Sequence, residues 1–184
     1  MLTVLALALA LALQDPAPFQ HENTTLNLKQ FAEKLHAALT AGDTATALAL
    51  TNSVLPDEAT AKKGLKDDVD PAFLKQAMDF YAKMLPADPA ARTKLFTSDP
   101  AATEVQVYAS TTEDLQKYEK GSVAFAQFPG GAKKLADAVL RPGMTYYEVT
   151  NVKPGEKYGM KFHLFYWTGE RWSMLGPIWR ALPK

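Results

Sequence analysis

His163, Glu148 and Tyr146 are the residues whose types and placement could do chemistry. His163 lies inside a strand-like run rich in aromatics, where burial and a neighbouring acid would tune an imidazole near neutrality. Glu148 and Tyr146 sit two residues apart on the preceding β-rich segment, so strand parity puts them on one face. A general base beside a phenolic donor can then act on a small carbonyl or hydroxyl substrate. The same residues also read as a half-exposed strand histidine and a packing tyrosine, with no chemistry at all. A second set is aromatic and cationic. Trp172 and Trp179 each adjoin an arginine, Arg171 and Arg180. Phe165, Trp167, Trp172 and Arg171 are accordingly candidate contacts for an anionic or sugar ligand. The other reading of this set is core with a solvated rim.

Most other catalytic signatures are missing. The sequence has no G-x-S-x-G elbow, no phosphate-cradling glycine loop, no dinucleotide fingerprint and no H-E-x-x-H. His21, His36 and His163 stand far apart without companions at metal-ligand spacing, so no metal is expected. A chain without cysteine offers no thiol nucleophile, thiolate metal site or iron–sulfur cluster. No cofactor is expected either.

The 20 acidic and 20 basic residues cancel, which argues against nucleic acid as a partner, since duplex binding wants a concentrated basic face. The balance is uneven. Residues 1–130 hold 11 basic and 16 acidic side chains, a net of −5, and residues 131–184 carry the compensating +5. Such asymmetry would suit self-association or an anionic ligand, and it also fits an ordinary solvated surface.

The segment Met1–Leu13 has no charged side chain, and Leu5–Leu13 alternates Leu with Ala before the polar Gln14-Asp15-Pro16. Its length is that of a secretory h-region, with small-x-small cleavage sites at Ala8-Leu9-Ala10 and Ala10-Leu11-Ala12, although no Lys or Arg precedes it. As a helix it would reach about 20 Å against a hydrocarbon core of roughly 30 Å, so no stable membrane span is expected in the mature chain. The expected organisation is a signal peptide at 1–13, a tether at 14–26 and a single domain at 27–184. Export without disulfides leaves the core to hold the fold, and suits a bacterial periplasmic or secreted setting.

The first half reads as helices with clear punctuation. Asn27 is the expected cap of a helix striped by Leu28, Phe31, Leu35 and Leu39 that ends at Gly42. Asp43 opens the next, and Asp70-Pro71 and Asp88-Pro89 set an N-cap before a proline at the first helical position. Val105, Val107 and Ala109 alternate as a strand. The stretch 112–120 reads as helix, 122–128 is ambiguous, and 132–140 reads as a short helix. Three β-rich segments then follow, 144–152, 157–167 and 171–182, which predict an antiparallel meander. Parity along them places His163, Phe165, Trp167, Trp172 and Met174 on one face and Phe162, Leu164, Tyr166 and Leu175 on the other. Both faces are apolar, so each needs cover: helices on one, and a further helix, a ligand or a partner subunit on the other. The expected class is α+β, with N-terminal helices packed on a curved antiparallel sheet.

Two segments, 31–56 and 162–182, resemble the nuclear-transport-factor-two-like group, the cystatin-like α+β cone. The resemblance rests on the helix pair joined by Ala41-Gly42-Asp43 and on the closing turn Thr168-Gly169-Glu170-Arg171-Trp172. It implies helices on a curved sheet, in a group that includes isomerases, dehydratases and exported domains without known activity. No Asp–His or Tyr–Asp pattern of the group aligns here, so no catalytic residue is carried over, and the helix at 132–140 is additional. The expected function is an exported, non-enzymatic binding or interaction module for a small molecule or a protein partner, or one that buries a sheet face as a homodimer. The alternative is a small-molecule lyase or isomerase using His163 with Tyr146 or Glu148.

Overall fold

A computed structural model describes residues 23–182. The leader, His21 and most of the tether lie outside the described residues. The fold is α+β. Helix α1 (Thr25–Ala41) starts earlier than its stripe implied, because Thr24 is the cap: its hydroxyl accepts from the Asn27 amide at 3.1 Å. Residues 25–26, expected in the tether, therefore form the first helical turn. Asn27 has a different task, since its side-chain oxygen accepts from the indole of Trp172 at 2.8 Å. Asp43, Asp70 and Asp88 do cap α2 (Thr44–Val54), α4 (Pro71–Met84) and α5 (Pro89–Arg92), each carboxylate accepting a first-turn amide. Between them, α3 (Glu58–Lys63) starts with a reciprocal capping box of Asp57 and Thr60.

Strand β1 (Glu104–Thr111) leads into α6 (Thr112–Lys117), α7 (Val123–Gln127) and α8 (Gly130–Ala138). The ambiguous stretch is thus helical, with Ser122 as its cap. Strands β2 (Thr145–Val152), β3 (Met160–Trp167) and β4 (Trp172–Met174) complete an antiparallel sheet in the order β1-β2-β3-β4. The last strand is far shorter than its hydrophobic run implied. Gly176 takes φ +55° and Pro177 has no amide to donate, so the ladder stops and the chain turns into a 3-10 segment, Ile178–Ala181.

Two buried cores lie on opposite faces of the sheet. Tyr146, Leu164 and Tyr166 pack beneath α3, α4 and the α6–α8 group. Tyr147, Val149, Phe165 and Trp172 pack beneath α1 and α2. Helices therefore cover both faces, so the cover that the strand pattern left open is a second helical layer. Among the described residues, no helix is long and apolar enough to cross a membrane.

The first core is threaded by tyrosine hydroxyls. Tyr146 donates to the Gly64 carbonyl, Tyr81 to that of Leu175, and Tyr166 to that of Thr60 at 2.7 Å. Burial raises all three phenols above their ordinary value, Tyr166 up to about 12. A raised folded value stabilises the protein fully below pH 10, and that stabilisation is lost as pH rises towards 12. Alkaline titration should show phenolate absorbance at 295 nm from these residues only as far-ultraviolet circular dichroism is lost. Full tyrosine ionisation with the fold intact would contradict this packing.

Candidate ligand site

Glu148 is completely buried in the middle of β2. Stripping water from a carboxylate costs several kcal/mol unless cations replace it. One cation does, joined by a hydrogen-bonding imidazole. Lys161 Nζ lies 2.7 Å from Oε1, and His163 Nδ1 lies 2.8 Å from Oε2. The ammonium makes its hydrogen bonds to Gln127, at 2.9 Å to the carbonyl and 3.0 Å to the side-chain oxygen. Oε1 has no hydrogen-bond donor and is held by charge alone. The carboxylate accepts from Nδ1–H, so a neutral His163 carries its hydrogen there. Nε2 makes no hydrogen bond within the described residues and is left for the solvent side.

Simple alternation does not produce this cluster; a bulge does. Tyr147 pairs with Phe165 and Val149 with Phe162, so Glu148 alone faces both His163 and Leu164. Leu164 takes φ +60°, the left-handed conformation that absorbs the extra residue. The consequence corrects the face assignment made from parity. His163 leaves the side of Phe165 and Trp167 and joins Glu148, while Phe162 joins Phe165 in the opposite core. Parity did place Glu148 with Tyr146 correctly.

In front of Lys161 and His163 is a cavity of about 330 Å³. It exists because β4 pairs with β3 only over residues 165–167, leaving Lys161–His163 on an open strand edge. The end of α4 supplies Phe80, Met84 and Leu85 as one wall. Met174, Pro177 and Trp179 supply another, and Lys161, His163 and Arg180 are the polar groups at its surface. Trp179 is fixed from both sides. Its ring packs edge-on to His163 at 5.8 Å between centroids, and it lies so close to Gly131 that any Cβ there would overlap the indole.

The other candidates serve the core. Tyr146 is fully buried with its hydroxyl on Gly64, so it offers His163 no donor. Phe165 and Trp172 are buried under α1 and α2, with Trp172 edge-on to both Tyr147 and the half-buried Trp167. Arg171 donates to the Ser53 carbonyl. Of the aromatic–cationic set only Trp179 and Arg180 reach the cavity. Sequence reasoning missed Lys161, whose signal was available: a basic residue two before His163, with the same parity, in a run otherwise aromatic. His36 lies in the second core with Nδ1 3.3 Å from the Ser98 hydroxyl. Among the described residues, no group of three metal-ligating side chains converges.

Comparison with protein-family models, with characterised proteins and with solved structures finds no match to this chain.

Two outcomes test the geometry. Long-range nitrogen–proton NMR above the titration of His163 should find the Nδ1-protonated tautomer. Glu148→Ala should shift that tautomer and lower stability by about 3 kcal/mol, because it leaves Lys161 without its carboxylate. An unchanged tautomer would mean that the pair does not form. Gly131→Ala must displace Trp179, which should destabilise by about 1–3 kcal/mol and alter indole fluorescence. A variant with unchanged melting and emission would show that the indole is not seated there.

Proposed function

We propose that this chain is an exported, non-enzymatic binding module that takes a small, largely apolar molecule at the open edge of β3. The cavity carries the reading: a concave space of about 330 Å³, walled by apolar side chains from several separate elements, with a few convergent polar groups. That is the usual form of a small-molecule site. Export to the periplasm or medium is supported by the leader-like segment at 1–13, and a chain without cysteine suits a bacterial setting better than a eukaryotic extracellular one. A relationship to the nuclear-transport-factor-two-like group is proposed on the Gly42-Asp43 helix link and on the order of helices before sheet.

One observation favours a second reading, that of a lyase or isomerase. The 2.8 Å contact of Glu148 with His163 orients an imidazole towards the cavity as a general base would need. No serine, threonine or cysteine lines the cavity, so the chemistry would be proton abstraction from a bound substrate rather than transfer of an acyl group. With Tyr146 occupied elsewhere, Lys161 and Arg180 would have to stabilise the charge that develops.

The binding reading is tested with the neutral dye N-phenyl-1-naphthylamine. One molecule should bind per chain with enhanced fluorescence. Met84→Trp, at a half-exposed wall position, should weaken binding at least tenfold with circular dichroism and melting unchanged. Absence of binding, or binding indifferent to that substitution, would remove the cavity as the ligand site.

A further inference from the structure

We infer that the ligand of this cavity is an organic anion, an apolar body bearing one acidic group that rests against Lys161, His163 and Arg180. This inference depends on the cavity being the ligand site.

The charges around the cavity are one-sided. Among the described residues, no Asp or Glu lines it. Glu148 has no accessible surface and stands behind the Lys161 and His163 side chains that it binds, which are 27% and 24% exposed. A ligand therefore meets the ammonium and the imidazole first and cannot touch the carboxylate. Arg180 adds an exposed guanidinium with no ion-pair partner among the described residues. Counting Lys161 and Arg180 against Glu148, the polar end holds one net positive charge with His163 neutral and two with His163 protonated. A cationic ligand would be repelled by both basic groups and denied Glu148, the acid behind them. A sugar would find no acceptor side chain at the surface apart from Nε2, since the Tyr81 hydroxyl already donates to Leu175. An acidic group instead meets the Arg180 guanidinium and the charge of the Lys161 ammonium, and a protonated His163 would add an Nε2–H donor, beside low-dielectric walls where a charge-assisted hydrogen bond is strongest.

The larger groove between α3, α4 and Arg141 makes a useful contrast. It too is lined by lysines and an arginine. There the cations have other partners: Arg141 holds the carbonyls of Lys62 and Lys63 and the carboxylate of Asp67, and Lys66 holds the carbonyl of Ala138. Lys62 and Lys75 pair with Glu58 and Asp79. Those side chains finish helix ends and surface pairs. Among the described residues Arg180 has no such partner, although Lys161 is engaged by Gln127 and Glu148.

The test compares 1-anilinonaphthalene-8-sulfonate with N-phenyl-1-naphthylamine, which share a skeleton and differ by the sulfonate. The anion should bind at least tenfold more tightly at low salt, and the advantage should shrink as salt rises. Arg180→Glu, at an exposed side chain, should abolish most of that advantage while leaving the neutral dye within twofold. Lys161→Gln should act in the same direction, checked by circular dichroism because it strips Glu148 of a partner. Equal affinity for the two dyes, or a ratio untouched by Arg180→Glu, would overturn the anion assignment while the cavity itself stands. Failure of the neutral dye and the anion alike would remove the ligand site, and this inference with it.

Discussion

A carboxylate without contact with water must be answered by positive charge, and the centre of this sheet is arranged around that demand. Glu148 cannot be reached by solvent, so its two oxygens take Lys161 and His163 from the neighbouring strand. Both can face it only because β3 carries an extra residue at Leu164. A leucine at φ +60° holds backbone strain of about 1–3 kcal/mol. Its side chain is wholly buried, and burial of a leucine contributes a comparable amount in return. The strained residue and the ionic cluster thus sustain one another: the bulge aims Lys161 and His163, and the packed side chain holds the bulge.

The rest of a cysteine-free chain is tied together by hydrogen bonds between distant segments. Tyrosine hydroxyls from β2 and β3 reach the carbonyls at the end of α3, where the absence of a side chain at Gly64 lets the Tyr166 ring lie against the backbone. Nearby, a single bridge joins Leu65 to Leu140, and Arg141 holds the last carbonyls of α3. On the opposite face the indole of Trp172 ties β4 to the first turn of α1 through Asn27. These hydrogen bonds close sequence separations of 78 to 145 residues. The two tyrosine bonds satisfy buried polar groups that would otherwise be costly, and together the contacts fix the layers of a domain without covalent cross-links.

The cavity follows from where the last strand stops. Had β4 continued to Leu182, as its hydrophobic run suggests, the edge of β3 at Lys161–His163 would be paired and filled. Gly176 and Pro177 end it at the point where the bulge has just turned those residues outward. The 3-10 turn then returns Trp179 and Arg180 across the opening. An interrupted strand and an irregular pairing, each unfavourable alone, together yield an apolar recess with a cationic end.

Local chemistry was legible in the sequence: Asp-Pro starts, the glycine at the end of α1, alternation in β1 and the order of strands all follow from short-range geometry within a few residues. So were the α+β class and the candidacy of His163 with Glu148. What only the folded chain decided was which neighbours those residues would face. A one-residue bulge reverses side-chain direction without leaving a mark in hydropathy, so Phe165 and Trp172 became core while Lys161 entered the site. Tyr146 shares its face with Glu148 yet gives its hydroxyl to a carbonyl 82 residues away, a choice set by packing across the sheet. Residue types limit what a position can do; register and long-range contact settle what it does.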